Sequence, residues 1–198
     1  MGCFIAFEGA NGVGKSTIIK SIYHKLLQEN LEVFLTKEPS ESEMGSLSRK
    51  IADHIEGKSL ACLVASDRFF HVENVILPEL NKGKIVLCDR NILSAYVFNK
   101  MDNISFEYTE NLYEGLIYPD LIILFYAHPD TVQKRLLQRE ILTRYEKKNI
   151  GFEQQVIQES VEFMERKGIK ILTVSTECSI EESVSKTYDI IKKYLNEN

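Results

Sequence analysis

Residues 3–17 read Cys-Phe-Ile-Ala-Phe-Glu-Gly-Ala-Asn-Gly-Val-Gly-Lys-Ser-Thr, an apolar run that breaks into a glycine-rich stretch and closes on Gly14-Lys15-Ser16. Directly afterwards Ile18, Ile19, Ile22, Tyr23, Leu26 and Leu27 recur at helical spacing. This is G-x-x-x-x-G-K-[ST] in a strand–loop–helix setting, which commits the start of the chain to an α/β architecture. The glycines let backbone N–H groups turn toward one point, and the helix behind them adds its positive N-terminus. A loop of this kind cradles phosphate oxygens. A glycine turn that merely reverses the chain is the plain alternative, and it accounts for neither the Lys-Ser pair nor the flanking elements. Lys15 is expected to bind the β- and γ-phosphate oxygens of ATP, and the Ser16 hydroxyl to ligate Mg²⁺. The expected ATP contacts are Gly9, Ala10, Asn11, Gly12, Val13, Gly14, Lys15, Ser16 and Thr17.

The rest of the chain repeats the opening alternation. Cys3–Glu8, Glu32–Lys37, Ile85–Asp89, Leu121–Tyr126 and Lys170–Ser175 are nearly continuous apolar runs, as strands covered on both faces should be. Helical patterns fall at roughly 43–56, 59–82, 106–116, 129–140, 150–167 and 179–195. Pro129 suits a first helical turn, and Ser179 with Glu182 makes a capping-box pattern. Gly83 and Gly168 stand where helices should stop before strands. Such alternation predicts a parallel sheet with right-handed crossovers. With 198 residues and no linker, repeat or low-complexity segment, residues 1–198 are expected to form a single domain.

Composition excludes several classes. A net charge of −5 argues against a nucleic-acid platform, though a locally focused set of cations can still bind a polyanion. The four cysteines are scattered without a C-x-x-C and read as free thiols of a reducing compartment. No run approaches the roughly 18 apolar residues that span a bilayer. The first residues also lack the basic stretch and apolar core of a signal peptide, so a cytoplasmic setting is expected.

The reaction class follows from what accompanies the loop. Asn99-Lys-Met-Asp102 matches the N-K-x-D that reads guanine in GTPases, but no Asp has a Gly three residues on, so the match is read as chance. A ring or transporter ATPase would usually be longer and end a strand in adjacent acidic residues. Here the strand at 85–88 runs into Asp89-Arg90, an acid that can help hold a metal and an arginine that can bind an acceptor phosphate. Further segments fall where an acceptor site should lie: Thr36-Lys-Glu-Pro39, Ala65-Ser-Asp-Arg-Phe-Phe-His71, Ser94, and Arg135 through Glu146. His71 itself is read as a hydrogen-bonded structural histidine, and His24, His54 and His128 form no metal spacing.

Taken with Phe7-Glu8-Gly9, these segments resemble the thymidylate kinase family along almost the whole chain. The family's F-E-G-x-x-G-x-G-K-[ST] stands at Phe7 to Ser16, and its T-R-E-P looks like Thr36-Lys37-Glu38-Pro39. Its A-A-D-R-x-x-H is similar to Ala65 to His71, its G-x-x-V-x-x-D-R-Y to Gly83 to Asn91, and its K-P-D-L to Tyr118-Pro119-Asp120-Leu121. Its R-x-x-x-R followed by D-R-x-E resembles Arg135, Arg139 and Thr143-Arg144-Tyr145-Glu146. The resemblance implies a three-layer P-loop kinase fold, its five-stranded parallel sheet ordered 2-3-1-4-5, with a short lid at about 137–149. It implies a homodimer through the helix around 59–82, and Mg²⁺-assisted transfer of the ATP γ-phosphate to dTMP, giving dTDP.

Residue by residue, the resemblance implies that Arg68 and Arg90 hold the acceptor phosphate with Lys37 nearby. Glu8 and Asp89 support the metal and its water shell, with Ser16 and Asp89 as ligands. Glu38, Ser94 and Phe98 complete the acceptor contacts. Some members carry an arginine inside the phosphate loop and others supply it from the lid. Gly12 puts this chain with the second kind, which makes Arg139 and Arg144 the catalytic cations beside Lys15 and Arg90, with Arg135 a further candidate. Three departures cluster on the acceptor side: Val64 where an aromatic residue often stacks on thymine, Asn91 where tyrosine follows Asp-Arg, and Lys37 for arginine. Phe69, Phe70, Tyr96 and Phe98 are the aromatic residues near enough in sequence to stack instead, and each equally suits a core. The alternatives kept open are a kinase for another nucleoside monophosphate, a deoxynucleoside kinase, and a nucleotide-binding regulatory paralogue.

Overall fold

The computed structural model describes residues 2–138, 142–147 and 150–197. The strands are β1 (Cys3–Glu8), β2 (Val33–Lys37), β3 (Ile85–Asp89), β4 (Leu121–Tyr126) and β5 (Ile171–Ser175). They pair in parallel in the order β2-β3-β1-β4-β5. The chain therefore lays β2 and β3 on one side of β1 and crosses to the other for β4 and β5. The phosphate loop leaves β1 at that change of direction, where open α/β sheets bind their ligands.

Helices cover both faces, because alternate residues of each strand point opposite ways. Ile5 and Phe7 of β1 pack with α1 (Lys15–Gln28) and α9 (Ile180–Glu197). Ala6, Ile122 and Leu124 face α5 (Ile92–Met101) and α8 (Ile150–Glu165). Phe4, Val86 and Cys88 meet Val72, Ile76 and Leu80. The sheet is thus buried on both sides, which explains strands without polar alternation. Asp120 fixes the start of β4 against β1, its carboxylate accepting from the Phe4 N–H at 2.7 Å while its own N–H donates to Phe4 O at 2.8 Å.

The remaining helices are α2 (Glu43–Ile51), α3 (Lys58–His71), α4 (Leu77–Asn81), α6 (Phe106–Leu112) and α7 (Pro129–Leu136). α3 and α4 are two parts of one run joined by a π-helical turn at Val72–Ile76. Pro78 has no N–H, so the regular ladder lapses there, and the Leu77 N–H reaches back to Val72 O instead. The Ser179–Glu182 capping box closes as expected, with reciprocal bonds of 3.1 and 3.2 Å. One helix, α5, is absent from the sequence reading, for a physical reason. Eight of its ten residues are buried, so it lacks the polar stripe that reveals a helix.

α2 enters the fold under tight constraint. Ser42 caps it by accepting from the Gly45 N–H at 3.0 Å. A Cβ at Gly45 would lie 2.1 Å from Ser40 O and 2.7 Å from Ser40 N, so only glycine lets α2 approach this loop. Gly45→Ala should therefore cost about 1–3 kcal/mol of stability through overpacking against backbone. Urea denaturation measures it, and an unchanged midpoint would mean that the contact yields freely.

Candidate active site

The carboxyl ends of β1 and β3 bring the site together. β1 ends at Glu8, which is 1% exposed and must find partners for its oxygens. It finds them at the start of α5: Oε1 accepts from the N–H groups of Asn91 (2.8 Å) and Ser94 (3.0 Å), and Oε2 from the Ser94 hydroxyl (2.5 Å). A carboxylate at a helix N-terminus is favoured by the dipole and by the unpaired N–H groups there. Burial pushes the Glu8 carboxyl up, while Arg90 and these hydrogen bonds draw it back. Glu8 is thus taken up in building the corner between β3 and α5.

Arg90 sits in that corner. Its N–H donates to Phe7 O at 2.9 Å, and its backbone is left-handed, with φ 70°. A non-glycine residue held there stores about 1–3 kcal/mol of strain. The result is that the guanidinium points across the phosphate loop, donating to Asn11 Oδ1 at 2.6 Å and to Ser94 Oγ at 3.0 Å.

The loop itself has left-handed backbone at Gly12 (φ 83°) and Gly14 (φ 97°). Lys15 folds back over it, donating to Gly9 O at 2.8 Å and Ala10 O at 3.0 Å. Its pKa is lowered to about 7, first by burial and then by Arg90, against the pull of Asp89, Glu8 and Glu153. Ser16 Oγ donates to Asp89 Oδ2 at 3.0 Å. These two hard oxygen donors stand side by side at an exposed edge of the loop, with no thiol or imidazole between them. The set suits Mg²⁺, which takes a few protein oxygens and keeps several waters. Arg135 ties the loop to the strand beyond it, donating to Val13 O at 3.2 Å and Thr176 O at 2.9 Å.

Beside the loop lies a cavity of about 370 Å³ that takes in Asn11, Glu38, Val64, Arg68, Arg90, Ser94 and Phe98 among its walls. Arg68 Nε donates to Glu38 Oε2 at 2.5 Å. Burial opposes the Arg68 charge, but the Glu38 carboxylate beside it raises the pKa above the ordinary arginine value. Arg68 Nη1 and Asn91 Oδ1 are buried without a hydrogen-bond partner. Glu38 Oε1 also takes Asn91 Nδ2 (2.9 Å) and His71 Nδ1 (3.1 Å), while His71 Nε2 meets Thr36 Oγ1 at 2.7 Å. His71 is accordingly embedded in a hydrogen-bonded network.

Loop 40–42 is stapled to this wall by Asp67, which accepts from Ser40 N, Ser40 Oγ and Ser42 Oγ at 2.5–2.7 Å. Phe98 lies against Tyr145 with the rings tilted by 37° and their centroids 4.5 Å apart, and Arg90 lies over Phe98 at 5.4 Å.

Two expected residues, Lys37 and Arg144, are engaged in other pairs. Lys37 pairs with Glu41 at 2.7 Å on the surface and opens on a neighbouring cavity of about 690 Å³ that also touches Ser16 and Asp89. Arg144 is held by Asp102 in a two-pronged pair (2.7 and 2.5 Å) and donates to Ala52 O at 2.6 Å. Burial raises the Asp102 pKa, yet the Arg144 bonds keep it below the usual range. That pairing gives Asp102 of the N-K-x-D match a role in the cavity wall. Arg139 and part of the lid segment 137–149 lie outside the described residues.

Two residues went unremarked in the sequence. Arg49 of α2 enters the cavity wall, donating to Pro39 O at 2.5 Å and Ser40 O at 2.7 Å. Glu153 of α8 is 3% exposed and faces the small void lined by Glu8, Gly9, Arg90 and Ser94, and burial raises its carboxyl pKa. Its position was readable, since residues 153, 156, 160 and 164 form the buried stripe of α8. A glutamate on that stripe is the signal.

A family model described as thymidylate kinase matches residues 7–187. A protein of Finegoldia magna named thymidylate kinase is 33% identical over 200 residues, covering 96% of this chain and 98% of that one. One of Caldicellulosiruptor saccharolyticus with the same name is 33% identical over 204 residues, covering 97% and 98%. With the parallel sheet, the glycine loop and the Asp89-Arg90 corner in place, the chain belongs to the thymidylate kinase family.

Proposed function

We propose that this protein transfers the γ-phosphoryl group of ATP to dTMP, giving ADP and dTDP. The observation that carries the reading is the placement of Arg90, whose guanidinium reaches from the phosphate loop at Asn11 to the cavity wall at Ser94. One cation there can face both the donor's terminal phosphate and the acceptor's phosphate. Two anions must be brought together, so neutralising them is the main chemical task.

In this reading, the N–H groups of residues 9–17 and the Lys15 ammonium hold the triphosphate. Lys15 exchanges its loop carbonyls for phosphate oxygens. Ser16 and Asp89 hold Mg²⁺, which supplies charge neutralisation across the donor phosphates. Arg68 and Arg90, with Glu38 orienting Arg68, receive the acceptor; the unpartnered Nη1 of Arg68 is a donor without an acceptor until one arrives. Ser94 and Phe98 contact its sugar or base, and Glu8 acts through the corner that it caps. Arg139 and Arg144 supply further positive charge from the lid, which for Arg144 requires release from Asp102. Lys37 joins the acceptor phosphate only by leaving Glu41. The protein works as a homodimer through the helix around 59–82, whose Phe70 is 40% exposed.

The base is the variable part. Val64 offers the cavity no ring, whereas Phe98 and Tyr145 do. An ADP-release assay across dTMP, dUMP, the other monophosphates and thymidine should show dTMP as the preferred acceptor. Turnover of thymidine but not dTMP would sink the reading; preference for another monophosphate would keep the chemistry and change the substrate. Lys15→Ala and Arg90→Ala should each lower kcat by about 100- to 1,000-fold. Near-normal rates in either would place the chemistry elsewhere. Light scattering after gel filtration should give twice the monomer mass of 22.8 kDa.

A further inference from the structure

Arg68 has a second neighbour besides Glu38, and it belongs to no motif. The Arg68 guanidinium lies over the ring of Tyr113, 4.9 Å from its centroid. Tyr113 ends α6, is 2% exposed, and also stacks with Phe69, the ring centroids 6.2 Å apart and the planes at 22°. Local contacts deliver it there. Ser105 caps α6 by accepting from the Tyr108 N–H at 3.1 Å, and Asn99 Nδ2 donates to Thr109 Oγ1 at 3.2 Å, which ties α6 to the helix that carries Ser94 and Phe98. The Tyr113 hydroxyl is buried without a hydrogen-bond partner among the described residues. What Tyr113 offers Arg68 is therefore the face of its ring.

A guanidinium buried to 3% exposure needs its charge compensated and its plane held. Glu38 compensates the charge and grips one edge, accepting from Nε at 2.5 Å. A single hydrogen bond at one edge leaves the group able to swing about that contact. A ring against its face removes this freedom, because the ring quadrupole attracts the cation and burial strengthens the attraction. A second carboxylate would hold the cation as firmly but would repel an incoming phosphate, whereas a neutral ring does not. The Nη groups are left for a ligand, and Nη1 is the buried donor that has no acceptor. We propose that Tyr113 is a positioning residue for the acceptor phosphate, its ring face holding Arg68 so that the Nη edge meets that phosphate. Tyr113 stands outside the walls of the acceptor cavity, so it acts through the arginine.

This inference rests on the reading of Arg68 as a ligand of the acceptor phosphate, and its test separates the ring's charge distribution from its bulk. Tyr113→Leu removes the ring. Tyr113→Phe keeps it and gives up only the unpartnered hydroxyl. A pentafluorinated phenylalanine at position 113 keeps the ring but reverses the sign of its quadrupole. In steady-state kinetics with the whole protein and Mg²⁺, the leucine and pentafluoro variants should raise the KM for dTMP about tenfold. The KM for ATP should stay where it was and kcat should move by less than about threefold, since a contact made equally in ground and transition state acts on KM. The phenylalanine variant should return the KM for dTMP to near that of the unaltered protein. If another monophosphate is the preferred acceptor, the same pattern is read in its KM. A pentafluoro variant with the KM of the phenylalanine variant would overturn the proposal, because the ring then only fills space. A parallel rise in the KM for ATP would do so too, as the mark of general damage to the site. Should the leucine variant fail to fold, seen in its melting curve, the comparison of the two rings still decides. Either overturning result leaves the kinase reading intact, whereas an unaltered protein that turns over no monophosphate would strike that reading and this inference with it.

Discussion

Everything at this site hangs on the grip of one buried carboxylate on the first turn of one helix. Glu8 closes the central strand, and its two oxygens take two N–H groups and a hydroxyl from residues 91–94. That grip fixes where β3 turns into α5, and Arg90 lies on the turn. The phosphate loop departs from the residue after Glu8, so loop and arginine are referenced to the same atom group. Burial makes the arrangement stiff: a carboxylate inside protein that lost these partners would be left without hydrogen bonds, at a cost of about 1–3 kcal/mol or more.

Around that anchor, opposite charges are interleaved. Arg68 leans on Glu38, Ser16 on Asp89, and Lys15 and Arg90 feel Glu8 and Glu153. An acidic chain can therefore bind polyanionic substrates, because its cations are gathered in one crevice and held in position by neighbouring acids. In the proposed reaction, cations held in this way need little reorganisation when charge develops between donor and acceptor. Val64 belongs to the wall of the adjoining cavity, whereas Asn91 is fully buried and joins the charged framework by donating to Glu38.

How much of this was legible depended on the kind of signal. The five strands lie within a residue of their expected limits, because burial on both faces leaves continuous apolar runs in the sequence. The phosphate loop was legible because Gly9, Gly14, Lys15 and Ser16 stand at the fixed spacing that a phosphate cradle needs. α5 was not, since a helix buried all round has no polar face to betray it. Motifs also give residue types without directions. Nothing in Thr143-Arg144-Tyr145-Glu146 says that the arginine turns to Asp102, forty-two positions earlier in the chain. Nothing in Thr36-Lys37-Glu38-Pro39 says that the lysine faces Glu41 while the glutamate faces Arg68. Glu153 shows the converse, a site residue outside any motif, visible only as a charge on an apolar stripe.

The left-handed backbone at Arg90 has a consequence for anyone who would engineer this protein. Glycine or asparagine would adopt that conformation with less strain, so the position trades local comfort for a side chain aimed at the loop. Heat-based selection rewards relief of strain and is blind to turnover. Libraries screened for robustness alone should hold position 90 fixed, or they will drift toward well-folded proteins that have lost the guanidinium spanning the phosphate loop and the cavity wall.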